Sequence, residues 1–166
     1  MSEHTDAPAQ VDTASVTVAA APGDIWDMVS DVTRMGEWSP ECRSCRWIGK
    51  HRAPAVGARF VGFNTRGWAR WATTNEVVEA ERGTAFAFRT RETGVIWGYR
   101  FEPAPDGDGT VVTETRDLRT ARTWLVRLTG PFVGGMDSHA DELREGMRQT
   151  LERLKAAAES APAPAG

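Results

Sequence analysis

The chain has 166 residues, of which 40% are apolar and 26% charged, and its formal charge at pH 7 is -3. This length suits one domain with a sizeable core and leaves no room for a separate cofactor domain. The weak negative charge argues against nucleic acid as the main partner, because nucleic-acid-binding domains usually carry a basic patch. No run of about 20 apolar residues is present, so neither a transmembrane helix nor stable membrane insertion is expected. Residues 1–14 lack the features of a signal peptide, which favours a cytoplasmic protein.

The first predicted elements are a strand and two short helices. Apolar and polar side chains alternate over Ala14–Ala20, as in a strand with one buried face. A helix is predicted to begin at Ala21–Asp24, with a proline and an acid in its first turn. Its apolar stripe at helical spacing ends near Val32, and a second short helical turn covers about Val32–Glu37.

Six further strands are predicted in the middle of the chain. Short segments with glycine, proline and aspartate separate them, which indicates consecutive antiparallel hairpins. The predicted strands are Arg43–Gly49, Ala58–Asn64, Trp68–Ala80, Ala85–Arg91, Val95–Glu102 and Thr110–Leu118.

One long helix is predicted from Met136 to about Ala157, because apolar residues recur on one face throughout this segment. A seven-stranded antiparallel sheet has to bury its apolar face against this helix, which gives an α+β fold. So wide a sheet curves through its twist, and one helix about 10 Å in diameter does not fill the concavity. The sequence therefore predicts a cavity between the sheet and the helices.

Both ends of the chain are polar and rich in proline and alanine, which is typical of frayed termini. We therefore predict a disordered leader at residues 1–12, a single domain over 13–158 and a disordered tail at 159–166.

Four segments of the sequence are distinctive together: VTVAAAPGDIWDMVSDVTRMGEWSPE, RWATTNEVVEAERGTAFAFRT, GVIWGYRFEPAPDGDGTVVTETRDL and LREGMRQTLERLKAAAE. They resemble the START-like, or helix-grip, superfamily of lipid-transfer proteins and polyketide cyclases/dehydrases (SRPBCC), in its actinobacterial branch. The resemblance covers about Ala14 to Glu159. It implies a seven-stranded curved antiparallel sheet around a long C-terminal helix, with two short helices after the first strand. It also implies a function among lipid carriers, ligand sensors and aromatase/cyclases.

Strand alternation suggests which side chains line the cavity. Trp97, Tyr99 and Phe101 share one face of their strand, which we take as the buried face, and Phe86 and Phe88 share a face of theirs.

The next two strands are ambiguous by alternation. The resemblance favours Phe60 and Asn64 inward in one of them, and we choose the face with Trp71, Thr73 and Asn75 in the other. Aromatic walls with a few polar groups are typical of small-molecule sites, although an ordinary packed core remains the alternative. The candidate ligand-binding residues are Trp38, Phe60, Asn64, Trp71, Phe86, Phe88, Trp97, Tyr99, Trp124, Leu128, Phe132, His139, Leu143 and Met147.

One segment and one residue of this set have special predicted roles. The segment from Trp124 to Phe132 is interpreted as a short helix or lid that closes over the cavity, with glycines as hinges. His139, beside the apolar stripe of the long helix, is the candidate acid or base, since histidine titrates near neutrality. An exposed or capping role is the alternative, and no other catalytic residue is predicted.

Other sequence features give no catalytic or metal site. No nucleophile motif or metal-binding motif is present. Arg66, Arg70, Arg116 and Arg119 could hold an acidic ligand group at the cavity mouth, the alternative for each being a solvated outer face.

The two cysteines, Cys42 and Cys45, form a lone CxxC. A structural zinc site needs four ligands, and a redox CxxC normally opens a helix. This pair lies in a predicted strand, where positions three apart face opposite ways. We therefore expect no metal and no functional disulfide.

These features predict a protein that binds a small hydrophobic or aromatic ligand, lipid- or polyketide-like, without a cofactor. The alternative is a polyketide aromatase/cyclase or dehydratase acting on a poly-β-keto intermediate, so enzymatic activity stays open. A third possibility is a non-enzymatic partner in a toxin–antitoxin or stress response. Either a monomer or a homodimer is compatible with the sequence.

Overall fold

The computed structural model describes residues 11–121 and 136–160. The order of its elements confirms the predicted helix-grip architecture. The elements are β1 (Val11–Val18), α1 (Pro22–Ser30), a 3₁₀ helix (Val32–Glu37), β2 (Cys42–Ile48), β3 (Arg59–Arg66), β4 (Ala69–Glu81), β5 (Ala85–Thr90), β6 (Ile96–Pro103), β7 (Thr110–Asp117) and α2 (Met136–Ser160).

The seven strands form one antiparallel sheet in the order β1-β7-β6-β5-β4-β3-β2. Strands β2 to β7 are consecutive hairpins, while α1 and the 3₁₀ helix carry the chain from β1 at one edge to β2 at the other. Gly109 allows β7 to start beside the end of β1, because its φ is +104° and a Cβ there would collide with the Val18 carbonyl oxygen.

The helices cover one face of this sheet. In α2, the apolar stripe of Met147, Leu151 and Leu154 is buried, and the helix packs against β1. Helix α1 packs on β5 and β6, where the Trp26 indole donates a 2.8 Å hydrogen bond to the carbonyl oxygen of Ala85. The buried apolar side chains of α1 belong to one core cluster with Leu151 and Leu154 of α2 and the buried aromatic side chains of the sheet.

Several element boundaries differ from the sequence expectation by one to three residues. Strand β1 begins at Val11, three residues before the predicted start at Ala14, so Val11 and Asp12 belong to the sheet and not to the leader. Alternation did not reveal this start, because the inward residue there is a charged Asp12 that is 5% exposed. Trp68, the predicted first residue of a strand, lies in the β3–β4 turn and is 88% exposed.

Within the described residues, no helix combines the length and apolarity that crossing a membrane requires.

Candidate functional site

The concave face of the sheet carries a continuous aromatic wall, formed by Phe60, Phe86, Phe88 and Tyr99. All four side chains are buried. Strand alternation predicted this for Phe86, Phe88 and Tyr99, and the family resemblance favoured it for Phe60. The Phe60 and Phe88 rings meet edge to face with centroids 5.1 Å apart, and Phe86 follows at 6.3 Å from Phe88. Such edge contacts orient the rings as well as burying them.

The other predicted site residues lie in several places around this wall. Trp38, at the end of the 3₁₀ helix, and Met147, on α2, are buried in the core. Asn64 and Trp71 are half-buried and face each other across the β3–β4 pair. Trp97 is also half-buried, with the Arg116 guanidinium 5.9 Å from its ring centre. Trp124, Leu128 and Phe132 lie outside the described residues, as do the side chains of His139 and Leu143 in α2.

A polar strip crosses the wall between β3 and β5, on the face predicted to point inward. Asn75 is buried, its Oδ1 accepts a 2.9 Å hydrogen bond from Thr90, and its Nδ2 donates to the Thr73 hydroxyl at 3.2 Å. The Asn64 amide donates to the same hydroxyl at 3.4 Å. These mutual hydrogen bonds satisfy the buried amide of Asn75, which makes the strip a structural feature of the wall.

Glu114, on β7, was not among the predicted site residues. It stands directly opposite Tyr99 in the β6–β7 register, and the tyrosine hydroxyl donates a 2.8 Å hydrogen bond to its Oε1. The side chain is buried, and its other oxygen, Oε2, has no hydrogen-bond partner among the described residues. Tyr99 and Glu114, which we call the acid pair, therefore form a buried polar group. One of its oxygens, Glu114 Oε2, makes no hydrogen bond to the described residues.

Burial sets the protonation of the acid pair. It raises the pKa of Glu114 to about 8, and the hydrogen bond from Tyr99 offsets only part of that rise. Burial is also the main reason why the pKa of Tyr99 lies well above its ordinary value. The Glu114 carboxyl group is consequently mostly protonated at pH 7. A neutral carboxylic acid has one O–H donor, so the pair can donate a hydrogen bond to a further oxygen or nitrogen.

Sequence alternation contained part of the signal for Glu114. It shares a strand face with Thr110, Val112 and Arg116, but Val111 on the other face makes the inward side of this strand ambiguous. The β6–β7 register places Glu114 opposite the buried Tyr99, which shows that this face of β7 points inward.

A charged cluster lies at the end of the sheet where β1 begins and β7 ends. Asp12 accepts hydrogen bonds from Arg116 at 2.9 Å and from Arg144 of α2 at 3.0 Å. Burial lowers the pKa of Arg116, and Asp12 counteracts that effect. Nearby, burial raises the pKa of Glu41, with the charges of Arg66 and Arg116 opposing the rise.

The four arginines considered for the cavity mouth divide accordingly. Arg116 is 8% exposed, and Arg66 is half-buried in an ion pair with Glu142 of α2. Arg70 and Arg119 are exposed. Of the four arginines, only Arg70 and Arg119 therefore lie on a solvated outer face.

The expected geometry of the cysteines was wrong. A β-bulge between Cys42 and Ser44 adds one residue to β2, so both cysteines face the same way and both are buried. Their Sγ atoms lie 3.3 Å apart, and Cys45 Sγ is 3.9 Å from Met35 Sδ. Among the side chains that the structure describes, no group of three or more His, Cys, Asp or Glu is placed to hold a metal ion.

Comparison with known families agrees with this architecture. The family model described as polyketide cyclase / dehydrase and lipid transport matches residues 10–159. The chain belongs to this family. No curated protein matches it significantly.

Solved structures extend the comparison. The solution structure of a polyketide-cyclase-like protein from Corynebacterium glutamicum is 30% identical, covers 89% of this chain and 90% of its own, and has a TM-score of 0.56. A protein from Deinococcus radiodurans is 18% identical over 90% of this chain and 97% of its own, with a TM-score of 0.65. The di-domain ARO/CYC StfQ from the steffimycin biosynthetic pathway is 17% identical over 90% of this chain and 50% of its own, with a TM-score of 0.68. The last two show the fold alone.

Proposed function

We propose that the protein binds a small hydrophobic or aromatic ligand, lipid- or polyketide-like, against the concave face of its sheet. The observation that carries the proposal is Glu114, a buried neutral acid with an unused oxygen beside an aromatic wall. Leaving a buried polar group without a partner costs roughly 1–3 kcal/mol. A ligand oxygen that accepts a hydrogen bond from Glu114 would recover that cost, which is the pattern of a binding site.

The proposed ligand contacts combine the predicted residues with this acid. The aromatic wall offers flat apolar surface, and the acid pair offers one directional donor. The family to which the chain belongs includes lipid transport in its description, which supports an apolar ligand. The proposed set is Trp38, Phe60, Asn64, Trp71, Phe86, Phe88, Trp97, Tyr99, Trp124, Leu128, Phe132, His139, Leu143 and Met147, with Glu114 added.

Two probes that differ only in the accepting atom test the proposal. 2-Acetylnaphthalene carries a carbonyl oxygen, and 2-isopropenylnaphthalene carries a methylene group in its place. We expect quenching of tryptophan fluorescence by both, with the ketone binding about fivefold more tightly, because one neutral hydrogen bond contributes about 1 kcal/mol. Glu114→Leu should remove this difference by weakening the ketone alone, whereas Glu114→Gln, which keeps a donor, should retain most of it.

A matched control is the exposed Trp68, whose replacement by Phe should change neither affinity. Equal affinities of the two probes for the wild-type protein, or an unchanged difference in Glu114→Leu, would show that Glu114 does not hold the ligand. Failure of both probes to bind at their solubility limit would refute the apolar site itself.

An enzymatic role, as a polyketide aromatase/cyclase or dehydratase, is the second candidate function. The observation favouring it is again Glu114, because a pKa of about 8 suits an acid that gives up a proton near neutrality. The concave face would fold a poly-β-keto chain into one reactive conformer, and the acid pair would protonate a carbonyl oxygen. Under this proposal Glu114→Gln abolishes turnover and leaves ketone binding largely intact, whereas retained turnover refutes it.

A further inference from the structure

The buried pair Cys42 and Cys45 has a geometry close to that of a disulfide. The bulge at the start of β2 brings their Sγ atoms to 3.3 Å, whereas a disulfide bond is about 2.05 Å long. Closing the gap requires a relative movement of about 1.2 Å, which small side-chain rotations supply. Both residues lie in one strand, so the two sulfur atoms stay together as long as β2 remains paired with β3.

The two thiols differ in access. Cys42 lines a surface cleft of about 240 Å³ between the 3₁₀ helix, the start of β2 and α2. Cys45 is not part of that cleft and instead contacts Met35. An external reagent therefore reaches Cys42 first.

The two thiols also differ in acidity. Hydrogen bonds from the Cys45 thiol and the Ser44 backbone lower the pKa of Cys42. The pKa of Cys45, in contrast, is raised by the hydrogen bond between the two thiols and by burial. The accessible sulfur is thus also the better thiolate, and the thiolate is the attacking form in thiol–disulfide exchange.

We propose that Cys42 and Cys45 form a reversible redox site, oxidised to a disulfide by small organic disulfides that enter through this cleft. The Cys42 thiolate attacks one sulfur of the reagent RS–SR, which breaks its S–S bond, expels RS⁻ and leaves a mixed disulfide on Cys42. Cys45 then loses its proton and attacks Cys42 Sγ, which expels the second RS⁻. The protein dithiol is oxidised by two electrons, and one RS–SR is reduced to two RSH.

The cleft also suggests a preference for the charge of the reagent. Arg43 and Arg153 line it and are exposed, so it favours disulfides that carry carboxylates. Glutathione disulfide is an anionic probe, and cystamine is a cationic one.

The test is native-state oxidation followed by intact-mass measurement. We expect the folded wild-type protein to lose the mass of two hydrogens in glutathione disulfide and to regain it in dithiothreitol. Trypsin cuts after Arg43, so alkylation and digestion should show peptide 35–43 linked by a disulfide to peptide 44–46. Cys45→Ser should accumulate a glutathione adduct on Cys42, whereas Cys42→Ser should remain unmodified over the same time.

The charge preference is tested by comparing the rates at which glutathione disulfide and cystamine oxidise the protein. Each rate is divided by the rate at which the same reagent reacts with a small free thiol. The glutathione disulfide rate should exceed the cystamine rate by about threefold or more, and Arg43→Gln/Arg153→Gln should abolish that preference. Equal corrected rates would refute the cleft as the entry route. Oxidation only in denaturant, or equally fast modification of Cys42→Ser, would refute the redox site. The peptide map of the wild-type protein decides the question even where a serine variant fails to fold.

Discussion

The protonation of Glu114 makes a direct prediction about the stability of the fold. Its ordinary pKa of 4.5 applies to the unfolded chain, while burial raises the pKa in the folded protein to about 8. The folded state therefore keeps a proton that the unfolded state releases, so this group's contribution to stability is complete below about pH 4.5 and is lost as pH rises towards about 8. Between pH 5 and pH 7 the loss amounts to about 2.5 kcal/mol, at about 1.4 kcal/mol per pH unit once the unfolded carboxyl is ionised.

Substitution by an amide isolates this contribution. Glu114→Gln retains the size of the side chain and removes the titration, so its stability relative to the wild type should rise by about 2.5 kcal/mol between pH 5 and pH 7. Urea unfolding at both pH values measures the difference, provided that the denaturant slope is the same for the two proteins. The control is Glu102→Gln, at an exposed position on β6, which should follow the wild type. Parallel pH profiles of wild type and Glu114→Gln would mean that Glu114 is ionised in the folded protein, and the reasoning would fail.

Three further predictions concern the charged cluster, two tryptophans of the sheet and the long helix. Asp12→Ala leaves the buried Arg116 short of its counter-ion, so urea unfolding should show a loss of roughly 3–5 kcal/mol, and a loss below about 1 kcal/mol would contradict a buried pair. Trp97→Ala should weaken ketone binding more than Trp47→Ala in fluorescence titrations accompanied by melting curves; the reverse order would move the site towards β2. If the protein is a cyclase that uses His139, His139→Gln should abolish turnover while ligand still binds, whereas in a carrier it should shift affinity only modestly.

The order of β2 to β7 could be predicted from the sequence because its signals are local. Turn glycines such as Gly67, Gly83 and Gly94 have positive φ and mark the hairpin ends, and strand alternation orients most of the buried aromatic side chains. Both signals depend on residues only a few positions apart.

The start of β1 could not be predicted in the same way. Asp12 is buried in the sheet because it pairs with Arg116, which is 104 positions away in the chain. A buried carboxylate with a distant partner has the same local sequence signature as an exposed one, so the polar composition of this segment favoured a leader.

The cysteines show how a single inserted residue reverses an inference from alternation. Positions three apart face opposite ways in a regular strand, but the bulge between Cys42 and Ser44 restores both thiols to one face. No glycine marks this bulge, so the sequence pattern around it resembles a continuous strand.

Glu114 is where the fold and the proposed site meet. A carboxyl group on an inward strand position is unfavourable for the core unless it is neutral or paired, and here Tyr99 pairs only one of its two oxygens. An apolar residue at this position would avoid the pH-dependent loss of stability described above. A hydrogen-bonding role towards a ligand gives the acid a function that an apolar residue lacks, and it requires the same neutral form that burial produces. The pH dependence of unfolding and the difference between the ketone and its methylene analogue therefore test one protonation state by two independent measurements.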